Sequence, residues 1–283
     1  MSNTEGCLFV VATPIGNLSD LSPRAAETLA KADLVLAEDT RHTARLLSAA
    51  GAKAKMLSLH EHNEHERIDG VLGRLADGQQ IALVSDAGTP LVSDPGFRLV
   101  RAVRDAGYLL SPVPGPCAAI AGLSAAGLPS DRFVFEGFLP PKEAARQARL
   151  EALASERRTL VFYESVHRID AALAALVRVF GDGRAATLAR ELTKTWETLY
   201  HGTLGDLAAT VASDPDTRRG ELVLVVAGAA DDGGSRDDEV ERWLRALVRE
   251  LPVRQAAALA ASATGRRRNE IYQLALKLKD EAD

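Results

Sequence analysis

Short apolar runs alternate with longer amphipathic stretches through the first 113 residues of this chain. The runs at 8–14, 33–38, 55–59, 80–85 and 109–113 have strand length and end at turn residues. Between them, 22–31, 40–50, 64–76 and 95–106 space their apolar residues as one face of a helix. Ser22-Pro23 reads as a helix start, with Ser22 capping and Pro23 in the first turn. Regular strand–helix alternation predicts a mainly parallel sheet covered by helices. After residue 117 the pattern changes. A small-residue helix at 118–126 is broken by Gly127-Leu128-Pro129, and strands are predicted at 133–137, 159–164, 185–191, 197–201 and 221–227. Helices at 142–156, 167–180 and 204–212 separate several of these, which describes a second, mixed α/β domain. The polar stretch Asp231-Asp232-Gly233-Gly234-Ser235 reads as a linker. Three helices follow it, at 239–250, 253–262 and 268–279, and resemble a helix-turn-helix tail. The expected fold class is α/β: two α/β domains, 1–117 and 118–230, and a small C-terminal helical domain at 236–283.

Composition adds bounds. With 46% hydrophobic and 26% charged residues, the chain falls among soluble globular proteins. No apolar run reaches the ~18 residues of a membrane span, and no basic stretch precedes an apolar one near Met1, so a cytoplasmic protein is expected. Cys7 and Cys117 are too few for a disulfide framework. The formal net charge of −5 excludes a strong grip on naked nucleic acid by charge alone. It hides a basic tail: from Arg254 to Lys279 there are six basic residues against one acid, Glu270.

The candidate chemistry lies in loops at predicted strand ends. Ser85-Asp86-Ala87-Gly88-Thr89-Pro90-Leu91-Val92-Ser93-Asp94-Pro95-Gly96 follows the fourth apolar run, Ala12-Thr13-Pro14-Ile15-Gly16-Asn17 ends the first, and Pro112-Val113-Pro114-Gly115-Pro116-Cys117-Ala118-Ala119 follows the fifth. In open α/β sheets that edge binds ligands. Glycine lets backbone approach a ligand and proline fixes the loop. Two carboxylates disfavour phosphate and suit a cationic, hydroxyl-rich ligand; a sulfonium nucleoside, S-adenosylmethionine, is both.

These segments carry a resemblance, together with Ala37-Glu38-Asp39-Thr40-Arg41-His42-Thr43, His60-Glu61-His62-Asn63-Glu64, Gly127-Leu128-Pro129-Ser130-Asp131-Arg132-Phe133, Phe162-Tyr163-Glu164-Ser165 and Leu188-Ala189-Arg190-Glu191-Leu192-Thr193-Lys194-Thr195. The chain resembles the ribosomal-RNA branch of the tetrapyrrole-methylase-like S-adenosylmethionine methyltransferases, the small-subunit (16S) rRNA cytidine 2′-O-methylating group. The tetrapyrrole branch itself usually has a Gly-x-Gly-x-Gly first loop, where this chain has Thr13-Pro14-Ile15-Gly16-Asn17. The resemblance implies S-adenosylmethionine as methyl donor, held in a cleft between the two α/β domains, with no metal. It also implies a ribose 2′-hydroxyl of 16S rRNA in the small ribosomal subunit as acceptor, and a homodimer. Ile15 and Gly16 would offer backbone to the donor. Asp86, Gly88 and Thr89 would meet its methionine and ribose, while Pro114, Pro116, Cys117 and Ala118 would flank its adenosine.

A ribose hydroxyl is a poor nucleophile and needs a proton acceptor or an orienting group. Glu38 and Lys142 are the expected catalytic residues, one at a strand end and one after Phe138-Leu139-Pro140-Pro141. Asp39-Thr40 fits a helix cap as well as a catalytic role. Arg41, His62, Tyr163, Arg168, Arg190 and Arg267 are the expected substrate contacts; each also fits a local structural role, as a cap, an ion pair or a solvated turn. His60-Glu61-His62-Asn63-Glu64-His65 lacks a strong zinc spacing and reads as a contact loop or an inert turn. Two other readings stay open: a small tetrapyrrole-like acceptor, and a non-catalytic ribosome-assembly factor.

Overall fold

A computed structural model describes residues 5–60, 63–230 and 236–280. They form two compact units, one ending at Ala229 and one starting at Ala230.

The first unit holds two sheets. Its chain begins β1 (Cys7–Val11), α1 (Pro23–Lys31), β2 (Leu34–Ala37), α2 (Thr40–Ala49), β3 (Lys55–Ser58), α3 (Glu64–Ala76), β4 (Gln80–Leu83), α4 (Phe97–Asp105) and β5 (Leu109–Val113). The five strands pair in the order β3-β2-β4-β1-β5, all parallel. Leu34-Val35-Leu36-Ala37 is buried throughout, as a strand covered on both faces must be. One face packs Leu8, Leu36 and Leu83 on Val71, Leu75, Leu99 and Val103. The other packs Val11, Val35 and Ala82 on Ala25, Leu29, Leu46 and Leu47. Ser22 caps α1 as its sequence predicts, accepting the Ala25 N–H at 3.1 Å with Pro23 in the first turn. Because all five strands run the same way, the loops after β1, β2, β4 and β5 leave from one edge. The strand order reverses there, between β4 and β1, and such a switch point opens a crevice.

The second sheet follows as α5 (Ala118–Ala125), β6 (Phe133–Phe138), α6 (Glu143–Leu153), β7 (Thr159–Ser165), α7 (Ile169–Phe180), β8 (Ala185–Arg190), β9 (Thr198–Thr203), α8 (Leu204–Ser213) and β10 (Glu221–Val226). Its order is β6-β7-β10-β8-β9, with β6 and β7 parallel and every other pair antiparallel. The even positions Leu160, Phe162, Leu188, Leu222 and Leu224 face the helices α6–α8. The odd positions Val161, Ala189, Val223 and Val225 receive α5 through Ala119 and Leu123. That alternation is the period of two of a pleated strand. α5, the first element after the β5 loop, is thus fastened to the second sheet, which puts the 114–117 loop at the junction of the two sheets.

The second unit is three helices, α9 (Arg236–Glu250), α10 (Val253–Thr264) and α11 (Arg268–Asp280), closed over Val240, Leu244, Ala257, Ala260, Ile271, Ala275 and Leu278. Gly265 stops α10 in the left-handed conformation at φ 69°.

Candidate functional site

A cavity of about 440 Å³ opens between the loops of the first sheet and the edge of the second. The first sheet supplies Ile15 and residues 86–89 and 92–94, α5 supplies Ala118, and the second sheet supplies Phe138, the end of β7 with the turn after it (residues 163–167), and the start of β10. The geometry begins at Thr13 and Gly88, which exchange backbone hydrogen bonds at 2.8 and 3.1 Å and tie the β1 loop to the β4 loop. Thr89 Oγ1 donates to the Pro116 carbonyl at 3.0 Å, joining the β5 loop to both. Gly88 sits at φ 82°, and a β-carbon there would lie 3.3 Å from Ile15 Cγ2. Asp86 Oδ1 accepts the Asp39 N–H at 3.0 Å, which brings in the end of β2. Leu91 and Ser93 hold positive φ angles of 72° and 67° in the same loop, strain that the surrounding loops must support.

The electrostatics are set by crowded carboxylates. Burial, with Glu38 and Asp86 nearby, pushes Asp94 up to about 6 against the opposing hydrogen bond from Ser85. Glu38 is raised by burial and by Asp86, with His60 opposing. Asp39, by contrast, keeps a 37% exposed side chain; hydrogen bonds from the Arg41 side chain and backbone hold it at about 2, and it caps α2. The Tyr163 hydroxyl is raised, chiefly by burial and then by Cys117. It accepts the Ala119 N–H at 3.1 Å, and its ring stands edge-on to Phe135 and Phe138.

Of the residues that the sequence singles out, Ile15, Asp86, Gly88, Thr89, Ala118 and Tyr163 are brought together around the cavity. Gly16, Pro114, Pro116 and Cys117 stand in the same loops but outside its lining. Glu38 stands outside the lining, close enough to Asp86 to be raised by its charge, and Lys142 is an exposed residue at the start of α6. Arg41 is 91% exposed and paired with Asp39. Arg168 binds the buried Glu164 at 2.8 Å and the Leu139 carbonyl at 3.3 Å. Arg190 is buried and donates to the Arg219 and Trp196 carbonyls, both at 3.0 Å; it pins the loop after β8. Arg267 is exposed at the start of α11 in the second unit, and His62 lies outside the described residues. The His60–His65 stretch yields a helix support: Glu64 is buried and accepts the Leu99 N–H of α4 at 2.9 Å. Among the described residues no group of three or more His, Cys, Asp or Glu is arranged to hold a metal, and no helix is long and apolar enough to cross a membrane. Sequence reasoning passed over Asp94, Val92 and Phe138. Asp94 was visible as the second carboxylate of the Ser85–Gly96 loop, but nothing local shows that it is half-buried.

The Glu164–Arg168 pair has a measurable consequence. Glu164→Ala leaves a guanidinium with only 29% side-chain exposure and no anion, and removes the acceptor of the Ser165 N–H. Discounting a buried pair for that exposure, the loss is about 2–3 kcal/mol. Thermal melting of the variant is expected to fall by roughly 5–10 °C. An unchanged midpoint would show that the pair is only a surface contact.

Residues 7–208 match the family model of tetrapyrrole (corrin/porphyrin) methylases, and residues 235–279 match the RsmI C-terminal HTH domain. The chain is 54% identical over 276 residues to the ribosomal RNA small subunit methyltransferase I of Pseudomonas aeruginosa, covering 97% of this chain and 98% of that one. It is 51% identical over 275 residues to the protein of the same name from Escherichia coli O157:H7, covering 97% and 96%. Among solved structures it is similar to the methyltransferase CobJ, with a TM-score of 0.60 at 22% identity over 80% of this chain and 95% of that one, a likeness of fold.

Proposed function

Because this chain belongs to the tetrapyrrole methylase family, we propose that it transfers a methyl group from S-adenosylmethionine to the 2′-hydroxyl of a cytidine ribose in 16S rRNA of the small ribosomal subunit. The observation that carries this reading is the end-to-end likeness, family domain and helical tail together, to small-subunit rRNA methyltransferases. The resemblance further implies that it acts as a cytoplasmic homodimer, which sedimentation velocity would test.

The cavity suits the donor. The missing side chain of Gly88 leaves a cradle against Ile15, and Asp86 and Asp94 offer carboxylates to a cation and to ribose hydroxyls. Ile15, Asp86, Gly88, Thr89 and Ala118 are the residues that would hold it. When bound, S-adenosylmethionine supplies an electrophilic methyl on a sulfonium that leaves as a neutral thioether. The chain's own contribution is alignment, which can lower the barrier by ~7–11 kcal/mol, and removal of the hydroxyl proton. We assign the second task to Asp94. It lines the cavity, and its raised carboxyl lies near the range where proton transfer at neutral pH is efficient. Glu38 and Asp86 act on it by holding that value up.

The test uses small subunits from a strain lacking this activity, pure protein and radiolabelled S-adenosylmethionine, followed by digestion of the RNA to nucleosides. Label is expected in 2′-O-methylcytidine. Donor binding without transfer to RNA would move the acceptor to a small molecule such as a tetrapyrrole, and absence of donor binding would remove the reading altogether.

A further inference from the structure

A second cavity, of about 210 Å³, lies on the other side of Asp86. Its walls are Thr13, Pro14, Leu18, His42, Thr43, Arg45, Leu46, Ser85 and Asp86. It is less than half the size of the donor cavity, and Asp86 is common to both. The floor is buried and polar: Thr13 and Thr43 are each 1% exposed. Thr13 Oγ1 is satisfied by the Ser85 and Gly88 carbonyls. Thr43 Oγ1 is not; among the described residues it has no hydrogen-bond partner. A buried hydroxyl without a partner is costly unless something else supplies one. The rim differs from the floor. His42 and Arg45 are exposed, and Leu18 is 59% exposed.

Resting on the methyltransferase reading above, we propose that this cavity is the nucleobase site of the acceptor and takes a single unstacked pyrimidine, a cytosine, with Thr43 Oγ1 as a hydrogen-bonding partner of the base. Pro14, Leu18 and Leu46 supply apolar surface for the ring faces, as proteins do for bases taken out of a stack. With the ribose toward Asp86, the wall shared with the donor cavity, the exocyclic amino group lies across the ring from the glycosidic nitrogen and points away from that wall into the cavity. Arg45 and His42 at the rim stand where the flanking ribose-phosphate leaves the cavity, and Arg45 gives that backbone a cation. The shared Asp86 wall makes a seated nucleoside the immediate neighbour of the donor cavity, which is what a direct transfer to its ribose requires.

Thr43→Val is the discriminating variant, because it removes the hydroxyl at nearly constant shape. If Thr43 were structural, the change would lower the melting temperature. On this proposal the variant melts at or above wild type, since its unpartnered hydroxyl is lost, and yet needs about three- to tenfold more small subunit for half-maximal methyl transfer. Arg45→Ala raises the same concentration by roughly tenfold. Neither changes the affinity for S-adenosylhomocysteine, measured by titration calorimetry. Cytidine 5′-monophosphate competes with small subunits and not with donor. Half-saturation within twofold of wild type in both variants overturns the proposal, as does weakened S-adenosylhomocysteine binding or the absence of cytidine monophosphate competition at millimolar concentration. If wild-type protein fails to methylate small subunits at all, the functional reading has failed; normal wild-type transfer with indifferent variants defeats the nucleobase site alone.

Discussion

Asp94→Asn is expected to slow methyl transfer to small subunits by about 100-fold or more while S-adenosylhomocysteine still binds. Asparagine keeps the shape of the side chain and loses its ability to take a proton. Wild-type transfer should rise with pH through about 6, where the Asp94 carboxyl ionises, and the residual activity of the variant should lack that step. Stability gives an independent check. The folded carboxyl titrates above its ordinary 3.8, so its neutral form is favoured by the fold. That stabilisation is complete below about pH 4 and is lost as pH rises through 6. The variant, always neutral, should therefore melt above wild type at pH 8, with the difference closing toward pH 4. If Glu38→Gln loses transfer and Asp94→Asn does not, the proton acceptor is the strand-end glutamate that the sequence singles out. A large fall in S-adenosylhomocysteine affinity in Asp94→Asn would instead make Asp94 a donor ligand.

Gly88→Val should reduce S-adenosylhomocysteine affinity by about 100-fold or more. At φ 82° a β-branched residue is strained by ~1–3 kcal/mol. The loop cannot easily relax, because the amide and carbonyl of Gly88 are both bonded to Thr13. The new side chain meets Ile15 and enters the cavity wall. Strain alone does not explain the expected loss, and Gly51 supplies the comparison. It too has positive φ, 67°, with open space where a β-carbon would go. Gly51→Ala should cost some stability and leave titration calorimetry unchanged. Binding by Gly88→Val within threefold of wild type would show that the cradle is not the donor site.

The parts of the fold legible in the sequence were those that depend on neighbours along the chain. Period-two and helical spacing gave the strands and helices, and the Ser22 and Asp39 caps lie where short-range preferences put them. The insertion of β10 between β7 and β8 was not legible, since it joins segments more than 30 residues apart through antiparallel contacts that no local pattern encodes. The site divides in the same way. Gly88 and Asp86 announced themselves as glycine and carboxylate in a strand-end loop. Asp94 did not, because its partial burial and the Glu38 carboxylate that acts on it come from tertiary packing rather than from its own loop. Arg190 shows the same limit from the other side: a basic residue closing a strand reads as a phosphate contact or a local ion pair, and the structure buries it against two carbonyls. Lys142 follows two prolines that suggested a reaching loop, and the structure makes it an exposed helix-start residue outside the cavity lining.

The chain has two tryptophans, and each compact unit carries one: Trp196 on the loop pinned by Arg190, and Trp243 on α9. Their exposures are 71% and 61%. Intrinsic fluorescence is therefore a two-channel signal with both emitters open to collisional quenchers. With Trp196→Phe or Trp243→Phe in hand, acrylamide quenching reads each unit separately. The emitter that becomes shielded when a small subunit is added identifies which unit meets the ribosomal particle, without a label on either partner.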